Sequence, residues 1–396
     1  MKFVFWLGLL WLGYVYVGYP LLVGLLAWVR RVRPVMRDDF LPTVAVLIVA
    51  RNEEKDIGWK VTETLGWDYP ADRLEVLVAS DASDDRTDEI LRAMNDSRLT
   101  VVRMEKRSGK NAGLNRLVGL ARGDLLFFTD ANAHIETGYL RKMVRHFADK
   151  RVGCVTGNWR SVREKADHAV SKGARLYWSF ESLIKYLESQ FGSVLACVGS
   201  IFCIRRSLYV PLDPDLANDL ELPSRIGHAG YWIRYEPEAQ VSEKDTRSPR
   251  EEFARRRRIC AQGMLAMWKL RKTLWGVRGW QFFSYKLLRW ITLIPVLLVA
   301  LASYGMVSEP LFLAIFSSLV FFFAAALAGG AFALAGRSGG HLVPVCFYFL
   351  LVITAGLTGV IEACLGRRYR VWEVPSLSRG GVPALLGSLP SQKEEP

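Results

Sequence analysis

The chain has 396 residues, a formal net charge of +13, and 51% hydrophobic and 12% aromatic residues. That is too apolar for an ordinary soluble protein and too charged for a transporter made of spans alone, so a soluble part joined to a membrane part is expected. The six cysteines (Cys154, Cys197, Cys203, Cys260, Cys346, Cys364) form no CxxC pair and no metal-ligand spacing, which argues against a zinc site and for reduced, mostly buried thiols.

From Phe3 to Val29 there is no charge. The stretch is long enough to span a bilayer, too long for a signal-peptide core, and lacks a small-residue cleavage site, so a retained helix is expected over residues 1–30. "RRVRPVMR", Arg30 to Arg37, follows directly. Positive flanks stay in the cytosol, which places the N-terminus outside and the next segment inside.

"TVAVLIVA" (Thr43 to Ala50) is a short, β-branched apolar run, the pattern of a buried parallel strand. A helix-forming stretch, "RNEEKDIGWKVTETLGW", comes next, and then a second strand, "LEVLVAS". "DASDDRTDEILRAM" opens as a turn and continues as a helix; "LTVVRM", "NAGLNRLVGLA" and "DLLFFTD" read as strand, helix and strand. The alternation predicts an α/β domain over residues 40–275, a parallel-rich sheet with helices on both faces and its ligand at the carboxyl ends of the strands. Those ends read "ARNEE", "SDASDD" and "TDAN", with "RSGKN" in a further loop. No glycine-rich phosphate loop is present. Carboxylates and an asparagine at the mouth of a sheet instead suit a nucleotide held through Mg²⁺ or Mn²⁺, which prefer hard oxygen ligands.

Three further apolar stretches, roughly Trp290 to Val307, Leu311 to Gly336 and Leu342 to Ile361, predict about three transmembrane segments within residues 280–365. A basic, then flexible tail occupies residues 366–396. Four full crossings would put "GRRYR" (Gly366 to Arg370) outside, against the charge rule, unless one late segment is re-entrant or interfacial.

"VAVLIVARNEE", "VASDASDDRT", "GKNAGLN" and "FTDANA" stand in the order and approximate spacing of the membrane-bound family 2 glycosyltransferases. These include the synthases of hyaluronan, cellulose and poly-N-acetylglucosamine, and ceramide glucosyltransferase. The likeness runs on through "YWSFESLIKYLESQFGSVLACVGSIFCIRR", "ANDLELPSRIGHAGYWIRYEPEA" and "EEFARRRRI", from about Thr43 to Trp290. The resemblance implies a GT-A-type nucleotide-sugar-binding domain with transmembrane helices. It also implies an inverting, metal-dependent transfer from a nucleotide-sugar, usually a UDP-sugar, to a lipid or glycan acceptor. On that resemblance Arg51, Glu53, Asp81, Asp85 and Lys110 contact the donor, Asp130 and Asn132 hold the metal, Asp219 is the general base, and Arg255 and Arg258 lie over the diphosphate.

Physical chemistry supports these roles: a cation and arginines stabilise the charge that develops on a diphosphate leaving group, and a carboxylate takes the acceptor's proton. Two departures stand out. The metal motif ends in Asn132, which offers a carbonyl oxygen but no charge. The (Q/R)xxRW motif reads Arg255-Arg256-Arg257-Arg258-Ile259, without its tryptophan, and "KLLRW" (Lys286 to Trp290) spells the same ending further on. The missing tryptophan weighs against a processive polysaccharide synthase and exporter, which stays an alternative, as does a tethered assembly subunit with a degenerate fold.

Plainer roles are open for several groups. Asp84, Asp85 and Asp88 suit helix caps, Asp56 and Glu63 read as surface charge, and His134 and His228 read as structural. Apolar residues at helical spacing (Leu176, Phe180, Leu183, Ile184, Leu187) mark either a core face or a helix lying on the membrane. Nucleic-acid binding is not expected, whereas membrane lipids and an oligomeric or export partner are. The expected location is the inner (plasma) membrane, multi-pass, with the α/β domain in the cytosol.

Overall fold

A computed structural model describes residues 1–161, 169–243, 248–335, 340 and 342–369. Its centre is an eight-stranded sheet of order β3-β2-β1-β4-β7-β6-β8-β5. The strands are β1 (Val44–Ala50), β2 (Leu74–Ser80), β3 (Leu99–Arg103), β4 (Leu125–Asp130), β5 (His134–Ile135), β6 (Val152–Ser161), β7 (Phe202–Arg205) and β8 (Trp232–Glu243). The four strands read from the sequence are the parallel half of the α/β domain expected from them. β7 runs antiparallel to β4 and β6, and β5 antiparallel to β8, so the sheet as a whole is mixed.

Strand β1 shows why an unbroken apolar run is needed. Val44, Val46, Ile48 and Ala50 enter one core with Ile57 and Val61 of α2 (Ile57–Leu65) and Leu91 of α3 (Thr87–Ala93). Ala45 and Leu47 enter the other, with Leu114 and Leu117 of α4 (Lys110–Val118). A short helix, α5 (Tyr139–Val144), completes the first core. The register pairs Ala50 with Ser80 and Val49 with Asp130, so three strands end level on one edge. The motifs that follow them are thereby brought together.

Two long helices join this domain to the apolar part: α6 (Ala169–Gln190) and, beyond α7 (Asn218–His228), α8 (Pro249–Lys269). Among the described residues, three helices are long and apolar enough to cross a membrane: α1 (Lys2–Val29), α11 (Pro310–Leu334) and α12 (Leu342–Cys364). A fourth crossing needs α9 (Val277–Trp290) and α10 (Leu293–Tyr304) together, and they are bent by 57°. The apolar run expected from Trp290 therefore starts at Val277 and is broken. α1 lies along this pair, with Tyr14 Oη 2.7 Å from Ser284 Oγ and Lys2 Nζ 2.8 Å from Glu309.

α12 packs on α8 for much of its length. A Cβ at Gly359 would stand 2.3 Å from the Arg257 carbonyl, and Tyr348 donates to Glu252 at 2.8 Å. The tail that follows returns to α8, where Gln262 donates to the Tyr369 carbonyl at 3.1 Å. Residues from 370 on lie outside the described part.

On α6 the apolar stripe divides. Ile184 is buried, and Phe180 and Leu187 pack with it against Tyr19 and Val23 of α1, while Leu176 and Leu183 are exposed. The two carboxylates expected on the surface are not there. Asp56 is 1% exposed, and Glu63 meets the His134 ring and the Lys60 ammonium, at 3.3 Å for the latter. Lys60 is itself fully buried and donates to the Ala133 carbonyl at 2.6 Å, so these charges brace the turn after β4 from below.

Candidate active site

Behind β1 and β2 the chain makes two left-handed turns at non-glycine residues, Asn52 (φ 54°) and Ala82 (φ 52°). Such conformations are costly and cluster at functional sites. They interlock: the Asn52 amide donates to Ser83 Oγ at 3.2 Å, and the Asp84 amide donates to Asn52 Oδ1 at 2.9 Å. Arg51 fastens the same turn, donating to the Asp81 carbonyl at 2.8 Å and to Asp84 at 2.7 Å. Glu53 is buried beside it, its amide donating to Thr87 Oγ1 at 2.8 Å.

Asp81 is 4% exposed and accepts from the Ser108 and Gly109 amides at 2.7 and 2.9 Å. Its carboxylate fixes the loop that starts α4, where Gly109 takes the positive φ (88°) of the turn. Asp85 caps α3 through the Thr87 amide at 3.0 Å and accepts from the Glu54 amide at 3.1 Å. Burial works to raise its carboxyl, and the Thr87 and Glu54 hydrogen bonds outweigh this and hold it below the usual range. Arg51, Asp81 and Asp85 thus shape the walls of the site, and Lys110 enters it.

Lys110, the first residue of α4, reaches Asp130 Oδ1 at 2.5 Å. Asp130 is the last residue of β4 and about a third of its side chain is exposed. The other residues of "KNAGLN" have a different task. Asn111 donates to the carbonyls of Asp213 and Leu216 at 2.6 and 2.8 Å. Asn115 accepts from the Leu212 amide at 2.8 Å and donates to its carbonyl at 3.1 Å. One face of α4 therefore latches the loop that delivers Asp219.

Asp219 lies in the first turn of α7, and Pro223 has no N–H to give its carbonyl. The Cys197 amide donates to that carbonyl instead, at 2.8 Å, tying the helix start to the neighbouring loop. The space is tight: a Cβ at Gly199 would stand 3.1 Å from Asp219 Oδ2. Burial pushes the Asp219 carboxyl up, the cations Lys110, Lys286 and Arg258 pull it back, and the Asp130 charge adds to the rise, so the net shift is upward. Those four groups share one electrostatic site with Asp219.

The four-arginine run of α8 separates by helix face. Arg256 pairs with Glu252 at 2.7 Å and Tyr348 at 2.8 Å and stacks on Tyr177, and Arg257 faces Glu362 at 3.5 Å. Arg255 faces Glu252 at 3.6 Å, and Arg258 donates to Gln262 Oε1 at 3.0 Å. Burial and the nearby Arg255 push the Arg258 guanidinium down to about 10, against the pull of Asp219 and Asp130.

One group was not anticipated from the sequence. Glu243, at the end of β8, accepts from Trp159 Nε1 at 3.2 Å. Ser242 pairs with His134, which brings Glu243 beside the 130–132 turn. Burial and then the Asp130 charge push its carboxyl up. The one available signal was a lone carboxylate in "QVSEKD". Among the described residues no three His, Cys, Asp or Glu side chains cluster as a metal cage. Asp130, with Asn132 two residues on, fits Mg²⁺ or Mn²⁺ in another way, since such ions often take one or two carboxylates and complete their shell with substrate phosphates and water.

Residues 45–210 match the family described as Glycosyl transferase family 2. A probable glycosyltransferase, YdaM of Bacillus subtilis, is 29% identical over 220 residues, 52% of this chain and 51% of that one. A beta-monoglucosyldiacylglycerol synthase of Synechocystis sp. is 33% identical over 154 residues, 38% of this chain and 31% of that one. The chain thus spans about half or less of these relatives. The mannosyltransferase PcManGT from Pyrobaculum calidifontis, solved with GDP-Man and Mn²⁺, shares the fold at a TM-score of 0.68 and 22% identity. That match covers 91% of this chain and 99% of the other.

Proposed function

We propose that the chain, which carries a family 2 glycosyltransferase domain, transfers one sugar from a nucleotide-sugar to a membrane lipid with inversion at the anomeric carbon. The observation that carries this reading is the convergence of Asp130, Lys110, Arg258 and Asp219 at the carboxyl edge of the sheet. Asp219 takes the proton of the acceptor hydroxyl. The hydroxyl oxygen bonds to the anomeric carbon on the face opposite the leaving diphosphate, and the bond from that carbon to the diphosphate oxygen breaks. Lys110 and the Arg255–Arg258 pair meet the charge on the departing oxygens. Asp130, with Asn132, would hold a divalent cation, which supplies further positive charge to the diphosphate when bound.

The lipid acceptor is supported by the placement of Asp219, within electrostatic reach of Lys286 on a helix of the apolar pair, and by the lipid product named for the Synechocystis relative. The basic flank Arg30 to Arg37 supports a cytosolic α/β domain at the plasma membrane. A panel of UDP- and GDP-sugars, with and without Mn²⁺, tests the reading on the purified chain. Asp130→Ala is expected to abolish turnover and Mn²⁺ retention measured by electron paramagnetic resonance, with Asn132→Ala weakening both less. Consumption of no donor, or unchanged turnover in Asp219→Asn, would refute it.

A further inference from the structure

Between the sheet and the apolar helices lies a polar cluster that the transfer step leaves unexplained. Its centre is Glu181 of α6. One carboxylate oxygen accepts from Arg289 and from Tyr177 Oη, the latter at 2.9 Å. The other faces Lys185 Nζ at 3.2 Å and Lys286 Nζ at 3.6 Å. All four charged side chains are largely shielded: Glu181 is 4% exposed, Arg289 7%, Lys185 9% and Lys286 16%.

A second carboxylate, Glu188, spends its oxygens on Tyr19 Oη at 2.7 Å and the Leu195 amide at 3.1 Å, with buried Arg278 in its vicinity. Counting Asp219, which lies within electrostatic reach of Lys286, four cations therefore share three carboxylates among the described residues. Buried charges are ordinarily matched, because an unmatched one has lost its water for nothing. A surplus of positive charge points to an anion that binds there.

The location narrows the anion. Lys286 and Arg289 sit on α9, the inner limb of the bent apolar pair, and Lys286 lies in a π-helical turn (Phe282–Leu287). That turn packs on a second π-helical turn in α1 (Tyr14–Gly18), where Tyr14 meets Ser284 and accepts from Trp280 Nε1 at 3.0 Å. Ionisable groups in a membrane helix mark a ligand path, and π-turns recur at functional sites. Elsewhere α1 and α10 expose Leu21, Leu25, Leu297 and Leu301, a surface suited to acyl chains. Lys286, the most exposed of the three cations around Glu181, is the one within reach of Asp219.

We infer that Lys286, backed by Lys185 and Arg289, seats the phosphate of an anionic membrane lipid whose headgroup hydroxyl is the acceptor. The ammonium holds the phosphate as a point charge at the membrane side of Asp219. The hydroxyl of the same headgroup then reaches the base; its oxygen bonds to the anomeric carbon, its proton passes to Asp219, and the nucleoside diphosphate leaves with the electron pair of the broken bond. This rests on the proposed transfer to a lipid and names the class of that lipid as a phosphodiester bearing a hydroxyl, not a neutral diacylglycerol.

The test uses the full chain in phosphatidylcholine vesicles with radiolabelled donor, adding phosphatidylglycerol, diacylglycerol or phosphatidic acid. Labelled phosphatidylglycerol is the expected product, with phosphatidic acid a competitor and inorganic phosphate not. Lys286→Gln is expected to raise the acceptor KM about tenfold, the loss of one charge-assisted contact, with a smaller effect on kcat, and Lys286→Arg to restore it. Preferred transfer to diacylglycerol overturns the inference, as does a Lys286→Gln effect confined to the donor KM, which would assign the cluster to the donor's own phosphates. Should the glutamine variant not fold, competition by phosphatidic acid on the unaltered chain decides alone. The two levels separate cleanly: transfer or donor hydrolysis with no dependence on headgroup charge refutes only the headgroup, and neither transfer to any lipid nor hydrolysis of any donor refutes the transferase.

Discussion

The Asp219 carboxyl answers to its neighbours more than to its own chemistry. Its raised pKa has one sign for the rate: a base works unprotonated, so transfer falls as pH drops through the raised value. The acid limb of kcat/KM is expected above that of an ordinary aspartate. It should move further up in Lys110→Gln, because Lys110 is the largest of the charges pulling the carboxyl down. A pH profile of both proteins checks this, and a limb at the ordinary value, or one moving down, contradicts it. Asp219, Asp130 and Lys110 were legible from their motifs because each is tied to the end of a strand or the start of a helix. Glu243 was not, because its relation to Asp130 depends on the pairing of β8 with β5, which joins residues over a hundred positions apart. Glu63 misled for a related reason: His134 and Lys60 cover it, and a charge on a short helix carries no mark of such partners.

At the scale of elements, α4 links Asp130 to the loop that precedes Asp219. Lys110 reaches Asp130 from its first turn, while Asn111 and Asn115, one turn apart, hold residues 209–216. Asn115→Ala leaves the Leu212 amide and carbonyl without those partners, a cost of about 1–3 kcal/mol for each buried group left unsatisfied. Because the loop carries Asp219, kcat is expected to fall by about tenfold or more while the donor KM changes little, as a small misplacement of a catalytic group costs rate before binding. Steady-state kinetics and thermal melting of the variant check this; an increase confined to the donor KM would assign Asn115 to the donor pocket. The parallel half of the sheet was readable because β1, β2 and β4 are buried on both faces and so are continuously apolar. β8 was not, since it carries the buried Arg234 and Glu236 and the exposed Pro237 inside "WIRYEPEAQVSE", and the burial of Glu236 depends on His146 and Arg145, which meet it at 2.9 and 3.0 Å.

At the scale of the whole chain, the conflict between four apolar segments and a basic tail turns on α12. α1 runs from Lys2, beside Glu309, to the domain end, where the Val32 amide donates to the Gln190 carbonyl at 2.6 Å. α9 and α10 return along it. α12 then ends against α8, with Glu362 facing Arg257 at 3.5 Å and the Tyr369 carbonyl held by Gln262. The start of the tail therefore lies on the side of the α/β domain, the same side as Arg30 to Arg37. A built-in probe exists, since Cys364 is exposed and the other five cysteines are buried. A membrane-impermeant maleimide is expected to label the unaltered chain in inverted vesicles and not in intact cells, while a Glu309→Cys variant gains labelling in intact cells. Labelling of both cysteines from one face would mean that α12 crosses fully, and would separate its end from the arginines over the active site.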